Sequence, residues 1–145
     1  MAKEYPTVIP MIAYEDGIAA IEWLERAFGF RERKEARQLW PDGTLSHAEM
    51  EVGDGLIMLA TPTLDYESPR RHRQTCEQAG KWSSVPYIID GVLVYVDDVD
   101  AHYERARAAG ATFLSEIEEG GPGRRYRAED LEGHRWFFFQ REGGC

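Results

Sequence analysis

The spacing of apolar side chains over residues 5–61 changes from strand-like to helical and back again. Residues 8–14 form a short apolar run typical of a strand. Apolar positions between Ile18 and Phe28 then repeat every three or four residues, which indicates a helix. Three more strands are predicted, bounded by turns rich in glycine, proline and aspartate, at residues 31–39, 44–52 and 56–61. The predicted order is one strand, one helix and three strands, or βαβββ.

The same order of elements returns in the second half of the chain. It comprises a strand, a helix and three strands, predicted at residues 91–96, 98–109, 112–117, 124–128 and 134–140. The separation between Asp16 and Asp97 equals that between Gly29 and Gly110, so the strand end and the helix end recur together. This internal repeat predicts a single domain over residues 1–145. Its parts are module one (5–61), a connector (62–90) and module two (91–140).

The helix of each module can cover only one face of its sheet, so the other face needs a further layer. We therefore expect an α+β fold in which the two βαβββ modules pair and form a concave mixed-sheet half-barrel with a cavity between them. The connector is too long for a plain loop. Ser68 and Pro69 are typical of a helix start, so a short helix is expected up to about Gln78, as a lid or an interface element.

Composition and charge narrow the choice of partners. The 145 residues are 43% hydrophobic and 30% charged, as in ordinary globular proteins, and the formal net charge of −9 opposes binding to phosphate backbones. The longest apolar run, near residues 91–96, is shorter than the roughly 20 residues that span a bilayer. No signal-peptide pattern opens the sequence. We expect a cytoplasmic protein with neither nucleic acid nor a membrane as partner, and Cys76 and Cys145 as free thiols.

Several segments resemble those of the vicinal-oxygen-chelate superfamily, which comprises glyoxalases, bleomycin-resistance proteins and dioxygenases. Three of them lie in module two, at residues 94–100 (VYVDDVD), 105–111 (RARAAGA) and 129–136 (EDLEGHRW). In module one, residues 27–30 (AFGF) and the hairpin at residues 42–49 are similar to family motifs. The resemblance covers nearly the whole chain. It implies the fold described above, but the motifs are shared by members with different activities.

In metal-dependent members, the resemblance implies that four side chains on the first and last strands of the two modules bind one divalent ion. The corresponding positions in this sequence are Ile9, Met58, Gly91 and Phe137. Divalent ions of this class prefer imidazole and carboxylate ligands, which none of these four residues supplies. We therefore expect no metal and no other cofactor.

His47 and Glu49 are the nearest alternative metal ligands, because residues two apart share one face of a strand. Together with Tyr126 they are also weak candidates for acid and base catalysis. The simpler interpretation is that His47 and Glu49 form a polar cavity wall. Ala48 and Met50 should then face the helix.

The remaining basic residues are interpreted as structural. His72 and His102 lie in charged helical segments and are expected in solvent, whereas His134 should stabilise the turn before the last strand. The arginines of residues 124–127 either pair with the glutamates of residues 116–119, which is simpler, or hold a carboxylate or phosphate group. Three connector arginines are expected on its solvated face: Arg70, Arg71 and Arg73.

Four consecutive aromatic residues, 136–139, dominate the last strand. Alternation along a strand sends Trp136 and Phe138 under the helices, and Phe137 and Phe139 toward the cavity. There they either fill the cavity or line an apolar slot with tryptophans at its rim. The residues expected to bind a ligand are Ile9, Met11, Trp40, His47, Met58, Trp82, Leu93, Tyr95, Phe137 and Phe139.

These features favour metal-independent binding of a small, flat or amphipathic organic molecule, as in the drug-sequestering members of the family. An acidic protein with aromatic walls suits a cationic guest. One alternative is an enzyme, either a metal-dependent lyase or dioxygenase with another ligand set or a cofactor-free isomerase or hydrolase. Another is a purely structural or regulatory role. The resemblance and the long connector also predict a homodimer, with modules paired within one chain or between two.

Overall fold

The computed structural model describes residues 5–86 and 90–141 and contains the βαβββ order twice. Module one consists of β1 (Met11–Ala13), α1 (Gly17–Phe28), β2 (Arg31–Glu32), β3 (Gln38–Leu39), β4 (Leu45–Val52) and β5 (Gly55–Ala60). The connector contains α2 (Pro69–Thr75) and α3 (Glu77–Ser83). Module two consists of β6 (Gly91–Val96), α4 (Val99–Ala108), β7 (Thr112–Phe113), β8 (Arg125–Glu129) and β9 (Arg135–Gln140). A bilayer could not be spanned by any helix in this described part of the chain.

Each module contributes one mixed sheet. The strand order is β1-β5-β4-β2 in the first sheet, with β3 also paired to β4, and β6-β9-β8-β7 in the second. In each module the first strand runs parallel to the last, so that Met11 lies opposite Met58 and Leu93 lies opposite Phe137. The pair Met11–Met58 in module one therefore corresponds to the pair Leu93–Phe137 in module two. The predicted α+β fold of two βαβββ modules is confirmed.

The ends of α1 and α4 follow the capping signals of the sequence. Asp16 accepts a hydrogen bond from the Ala19 N–H, and Asp98 accepts one from the Ala101 N–H, each at 3.1 Å. Asp98 rather than Asp97 is therefore the counterpart of Asp16, which corrects the predicted match by one residue. The helix ends were matched correctly. Gly29 and Gly110 both adopt the left-handed backbone conformation, at φ values of 75° and 86°, that glycine tolerates best.

Three predicted elements differ from the structure. The strand expected at residues 31–39 is interrupted by a 3-10 turn over Lys34–Ala36, because the Ala36 N–H bonds to the nearby Arg33 carbonyl instead of to β4. The strand expected at residues 112–117 ends at Phe113, since two successive N–H groups beyond it share the Arg127 carbonyl and so break the ladder. The single connector helix is two helices, separated at Cys76.

One hydrophobic core joins the modules through the helix-facing sides of their sheets. Phe28 of α1 packs edge-on against Phe138 of β9, with ring centroids 4.7 Å apart, and Phe30 packs against Trp136 at 5.1 Å. Trp136 and Phe138 are fully buried, as predicted. The opposite sides of the two sheets, called here the open faces, lie outside this core. A cleft of about 470 Å³ remains between β1, β6 and the connector.

A polar loop at residues 130–134 fastens module two to module one. The buried Asp130 carboxylate accepts hydrogen bonds from the Tyr14 hydroxyl at 2.6 Å and from the Trp136 indole N–H at 3.1 Å. Glu132 accepts the backbone N–H groups of residues 15 and 16, just before α1. Burial raises the pKa of Tyr14 well above its ordinary value, and the Asp130 charge adds to this effect. These contacts fix the relative placement of the two modules.

Candidate functional site

The open face of the first sheet carries His47, Glu49, Met11 and Met58. Glu49 of β4 lies directly opposite Met58 of β5, and Met58 lies opposite Met11 of β1. Met11 is 80% exposed. Ala48 and Met50 of β4 are fully buried on the helix-facing side, as strand alternation predicts. This face therefore combines apolar side chains with a polar pair.

The polar pair is part of a hydrogen-bonded cluster around the Glu49 carboxylate. His47 Nε2 lies 2.9 Å from Glu49 Oε2, and the Tyr5 hydroxyl donates to both Glu49 oxygens at 3.2 Å. Arg33 approaches the same carboxylate at 3.7 Å. Glu49 is only 4% exposed, whereas the His47 ring is partly accessible. The carboxylate is thus satisfied within the protein, and the imidazole is the member of the pair that can meet a ligand.

A groove of about 240 Å³ adjoins this cluster. Its apolar walls include Met11, Met58 and Pro62, and His47 and Ser46 supply its polar groups. The structure thus brings together three of the residues predicted to bind a ligand: Met11, His47 and Met58.

The open face of the second sheet is aromatic and basic. Leu93 and Tyr95 of β6 are 46% and 55% exposed. Tyr95 packs edge-on against Phe139 at 6.3 Å, and the Arg141 guanidinium lies 5.6 Å from the centre of the Tyr95 ring. Phe139 is half-buried. These side chains form a broad apolar surface rather than an enclosed pocket.

Phe137 differs from its neighbours on this face. It is only 3% exposed, and a Cβ atom added at Gly91 would lie 2.2 Å from its ring. The ring therefore lies across the glycine and occupies the space that a side chain at position 91 would need. Phe137 therefore fills the space above Gly91. The sequence allowed Phe137 either to fill the cavity or to line a slot, and this packing corresponds to the first alternative.

Comparison with known proteins identifies the family. The family model of the Glyoxalase/Bleomycin resistance protein/Dioxygenase superfamily matches residues 9–138. This chain belongs to that superfamily. TioX from Micromonospora sp. ML1 is a similar solved structure, at 32% identity and a TM-score of 0.65, covering 97% of this chain and 99% of TioX. The resemblance inferred from sequence motifs is confirmed.

Two further relatives extend the comparison. The bleomycin-binding protein of Streptomyces verticillus, solved with copper(II)-bleomycin, shares the fold at 17% identity and a TM-score of 0.58, covering 97% of this chain and all of that one. The uncharacterized protein Mb0911c of Mycobacterium bovis is 30% identical over 136 residues, which are 90% of this chain and 80% of that protein.

The superfamily's metal positions do not suit a metal here. Met58 and Phe137 occupy equivalent positions, opposite Met11 and Leu93, and Ile9 and Gly91 each lie two residues before those partners. An aliphatic side chain, a thioether, a glycine and a phenyl ring carry no anionic or imidazole donor. Within residues 5–86 and 90–141, no group of three or more His, Cys, Asp or Glu side chains is placed to hold an ion. Metal-free operation stays a prediction.

The other predicted site residues lie apart from the groove. Ile9 is half-buried just before β1. Trp40 donates its indole N–H to the Thr61 carbonyl at 2.8 Å and borders a separate shallow pocket with Leu64. Trp82, on α3, is 58% exposed. Neither tryptophan lines the groove beside His47.

The buried Tyr126 and the half-buried His102 lie together on the helix-facing side of the second sheet. His102 Nε2 lies 3.0 Å from the Phe28 carbonyl, which can only accept, so Nδ1 accepts the Tyr126 hydroxyl at 2.5 Å. Burial lowers the pKa of His102 to about 4 and raises the pKa of Tyr126 strongly. His102 was expected in solvent, and that expectation is wrong. Tyr126 does not share a face with His47 and Glu49.

The other polar residues have structural partners. His134 bonds through its ring to the Ala13 carbonyl at 2.7 Å, so it joins the modules as well as closing a turn. Arg124 pairs with Asp100 as well as with Glu119, and Arg125 and Arg127 approach Glu118. Pairing was the simpler of the two interpretations of these arginines. Cys76 is a free thiol, and Cys145 lies outside the described residues.

The connector arginines are attached to the modules, which the sequence interpretation missed. Arg73 pairs with the buried Glu129 of β8, Arg71 pairs with Glu15 at 2.9 Å, and Arg70 donates to the Asp130 carbonyl at 3.0 Å. Arg135 of β9 donates to the carbonyls of Ser83 and Val85. The only sequence signal was the helical spacing of Arg70 and Arg73, which places both on one side of α2. The solvated face expected for Arg70 and Arg73 is corrected to a docking contact.

Proposed function

We propose that this protein binds a small, flat or amphipathic organic molecule on its open faces without using a metal. The observation that carries the proposal is the exposed apolar surface of Met11, Leu93 and Tyr95 beside partly accessible polar groups. Burying such surface is favourable by about 25 cal/mol per Å², although association costs absorb much of it. The donor-free residues at the superfamily's metal positions support the metal-free part. The bleomycin-binding relative makes a drug-like ligand a reasonable expectation.

The charge of the protein bears on the kind of guest. The formal net charge of −9 attracts cationic molecules over a long range. On the open face of the second sheet, the Tyr95 ring already lies beside the Arg141 guanidinium. This ring is therefore suited to contact with a flat cation. Planar aromatic cations and neutral planar amphiphiles are therefore the first compounds to screen.

We also propose that the binding unit is a homodimer. In one chain the ligand-binding candidates are divided between two sheets, with Met11 and Met58 on one open face and Leu93 and Tyr95 on the other. A partner subunit that covers an open face would enclose a site that a single chain leaves open.

A binding screen tests the proposed function. Trp40 and Trp82 are 45% and 58% exposed, so intrinsic fluorescence can report a guest nearby. We expect at least one planar compound to bind the wild type and to bind Tyr95→Ala about tenfold more weakly, as loss of an aromatic contact predicts. Glu22→Ala, at an exposed residue of α1 on the helix-facing side, is the control and should bind normally. Failure of every compound, or equal weakening in both variants, would contradict the proposal.

An enzymatic role is the second candidate. The observation that favours it is the His47–Glu49 contact of 2.9 Å at the edge of a groove, an arrangement suited to proton transfer without a cofactor. Turnover of any bound compound, abolished in His47→Gln, would decide for it.

A further inference from the structure

We infer that the groove of the first sheet binds the hydroxyl group of a phenol, with His47 Nδ1 accepting the phenolic proton. This inference rests on the proposed function and names a ligand class for one part of the site. It is carried by the pairing of an oriented imidazole with apolar walls that fit one aromatic ring.

The tautomer of His47 follows from its partner. The Glu49 carboxylate, 2.9 Å from His47 Nε2, can only accept a hydrogen bond, so Nε2 carries the proton and Nδ1 presents a lone pair. Among the described residues, none lies within hydrogen-bond distance of Nδ1. The imidazole therefore offers one proton acceptor that the protein itself does not use, on a ring that lines the groove.

The surroundings of Glu49 keep its carboxylate in the accepting form. The Tyr5 hydroxyl donates to both oxygens, and the Arg33 guanidinium lies 3.7 Å away. Arg31 and Arg33 are matched by Glu49 and Glu51, so the cluster has no net charge when His47 is neutral. A neutral, weakly acidic hydroxyl fits this balance better than a permanent cation or anion.

The proton step needs no further reactant. The phenolic O–H bond breaks, and its proton forms an N–H bond at His47 Nδ1. The electron pair stays on the phenolate oxygen, and the resulting imidazolium lies between two anions, the phenolate and the Glu49 carboxylate. Each anion accepts one of its two N–H groups, which stabilises the transferred state.

The walls of the groove suit a single ring. Met11 and Met58 present thioether groups, which make favourable contacts with aromatic rings, and Pro62 adds an apolar surface. The volume of about 240 Å³ is small for a drug-sized molecule but sufficient for one substituted ring.

The test uses 4-nitrophenol, whose phenolate absorbs visible light, and its methyl ether 4-nitroanisole, which has no proton to give. At a pH where free 4-nitrophenol is protonated, we expect the wild type to generate the phenolate band on binding. It should also bind 4-nitrophenol about tenfold more tightly than 4-nitroanisole. In His47→Gln the band should vanish and the two affinities should become equal. His72→Gln, an exposed histidine change far from the groove, is the control and should behave as wild type.

Glu49→Gln tests the positioning role of the carboxylate. An amide can donate to His47 Nε2 and so favour the other tautomer, and we expect the phenolate band to fall while 4-nitroanisole binding is unchanged. Equal affinity of the wild type for both probes, or a band that persists in His47→Gln, would overturn the inference. Absence of binding by both probes also overturns it, whereas the proposed function fails only if the larger planar compounds do not bind either.

Discussion

At the scale of single residues, burial decides which ionisable groups can meet a ligand. His47 and His102 are both hydrogen-bonded, but only the His47 ring borders a groove, whereas His102 is enclosed by Phe28, Tyr126 and Phe138. Sequence context alone suggested that His102 is exposed to solvent, because its neighbours along α4 are charged. Its actual neighbours are distant in sequence, and strand or helix periodicity does not reveal them.

The half-buried His102 predicts a loss of stability in acid. Its pKa is lowered to about 4 in the folded protein, against about 6.5 for an unfolded histidine. Between these values the unfolded state binds more protons, so the stabilising contribution is complete above the unfolded pKa and is lost as pH falls toward the folded one. Urea unfolding should therefore show a loss of about 2 kcal/mol from about pH 7.5 to about pH 5.

The same titration in His102→Gln isolates this effect. The variant is expected to be less stable at neutral pH, but the difference from wild type should shrink by that amount in acid. A difference that does not change with pH would mean that His102 is not held neutral.

Gly91 and Phe137 predict a second single-residue effect. A methyl group at position 91 would lie 2.2 Å from the Phe137 ring, so Gly91→Ala should cost about 1–3 kcal/mol through overpacking. Combining it with Phe137→Leu should recover part of this loss in a double-mutant cycle measured by urea unfolding. Additive losses would show that the ring does not occupy the space above Gly91.

At the scale of elements, local signals and long-range contacts contributed differently to the prediction. The strand Gly91–Val96 and the helix ends at Gly29 and Gly110 follow from local apolar runs and glycine stops, and they were predicted correctly. The break at residues 34–36 depends on a hydrogen bond that competes with the sheet, which an apolar pattern does not encode. The groove beside His47 was partly predictable, because alternation placed His47 and Glu49 on one face.

The attachment of the connector could not be predicted in the same way. Arg73 and its partner Glu129 lie in different parts of the chain, and only the fold brings them together. The carboxylate of Glu129 is buried, so its charge needs this partner and Arg135. The connector is thus held by the Arg73–Glu129 ion pair, the more exposed Arg71–Glu15 pair and hydrogen bonds to backbone carbonyls.

This attachment predicts local loosening in Arg73→Gln. The change leaves Glu129 with a weaker set of partners, so amide hydrogen exchange in α2 and α3 should accelerate about tenfold or more. Arg71→Gln, two residues away on the same helix, removes only the more exposed pair with Glu15 and serves as the control. Equal exchange rates in the two variants would argue against a docking role for Arg73.

At the scale of the whole molecule, the division of the site between two open faces bears on assembly. Light scattering is expected to give about twice the 16.6 kDa chain mass at micromolar concentration. Leu93→Lys, in the middle of the exposed β6 strand, should shift the mass toward one chain because it places a charge in the covered face. Leu64→Lys should leave the dimer intact. A single-chain mass for the wild type would refute the dimer.

The superfamily assignment accounts for the fold, whereas the proposed metal-free binding rests on residues that differ from a metal-binding pattern. No metal-donor atom of the kind divalent ions prefer is present at the four matched positions, which are Ile9, Met58, Gly91 and Phe137. Exposed apolar surface is provided instead by Met11, Leu93 and Tyr95. We propose that this surface binds organic molecules without a metal.

Calorimetric titration of the best planar compound into protein treated with a chelator tests this claim most directly. Elemental analysis of the same sample should establish that it is free of divalent metal. We expect the affinity to equal that of untreated protein and to stay unchanged when divalent ions are added back. Binding that disappears with the chelator and returns with one ion per chain would contradict the account.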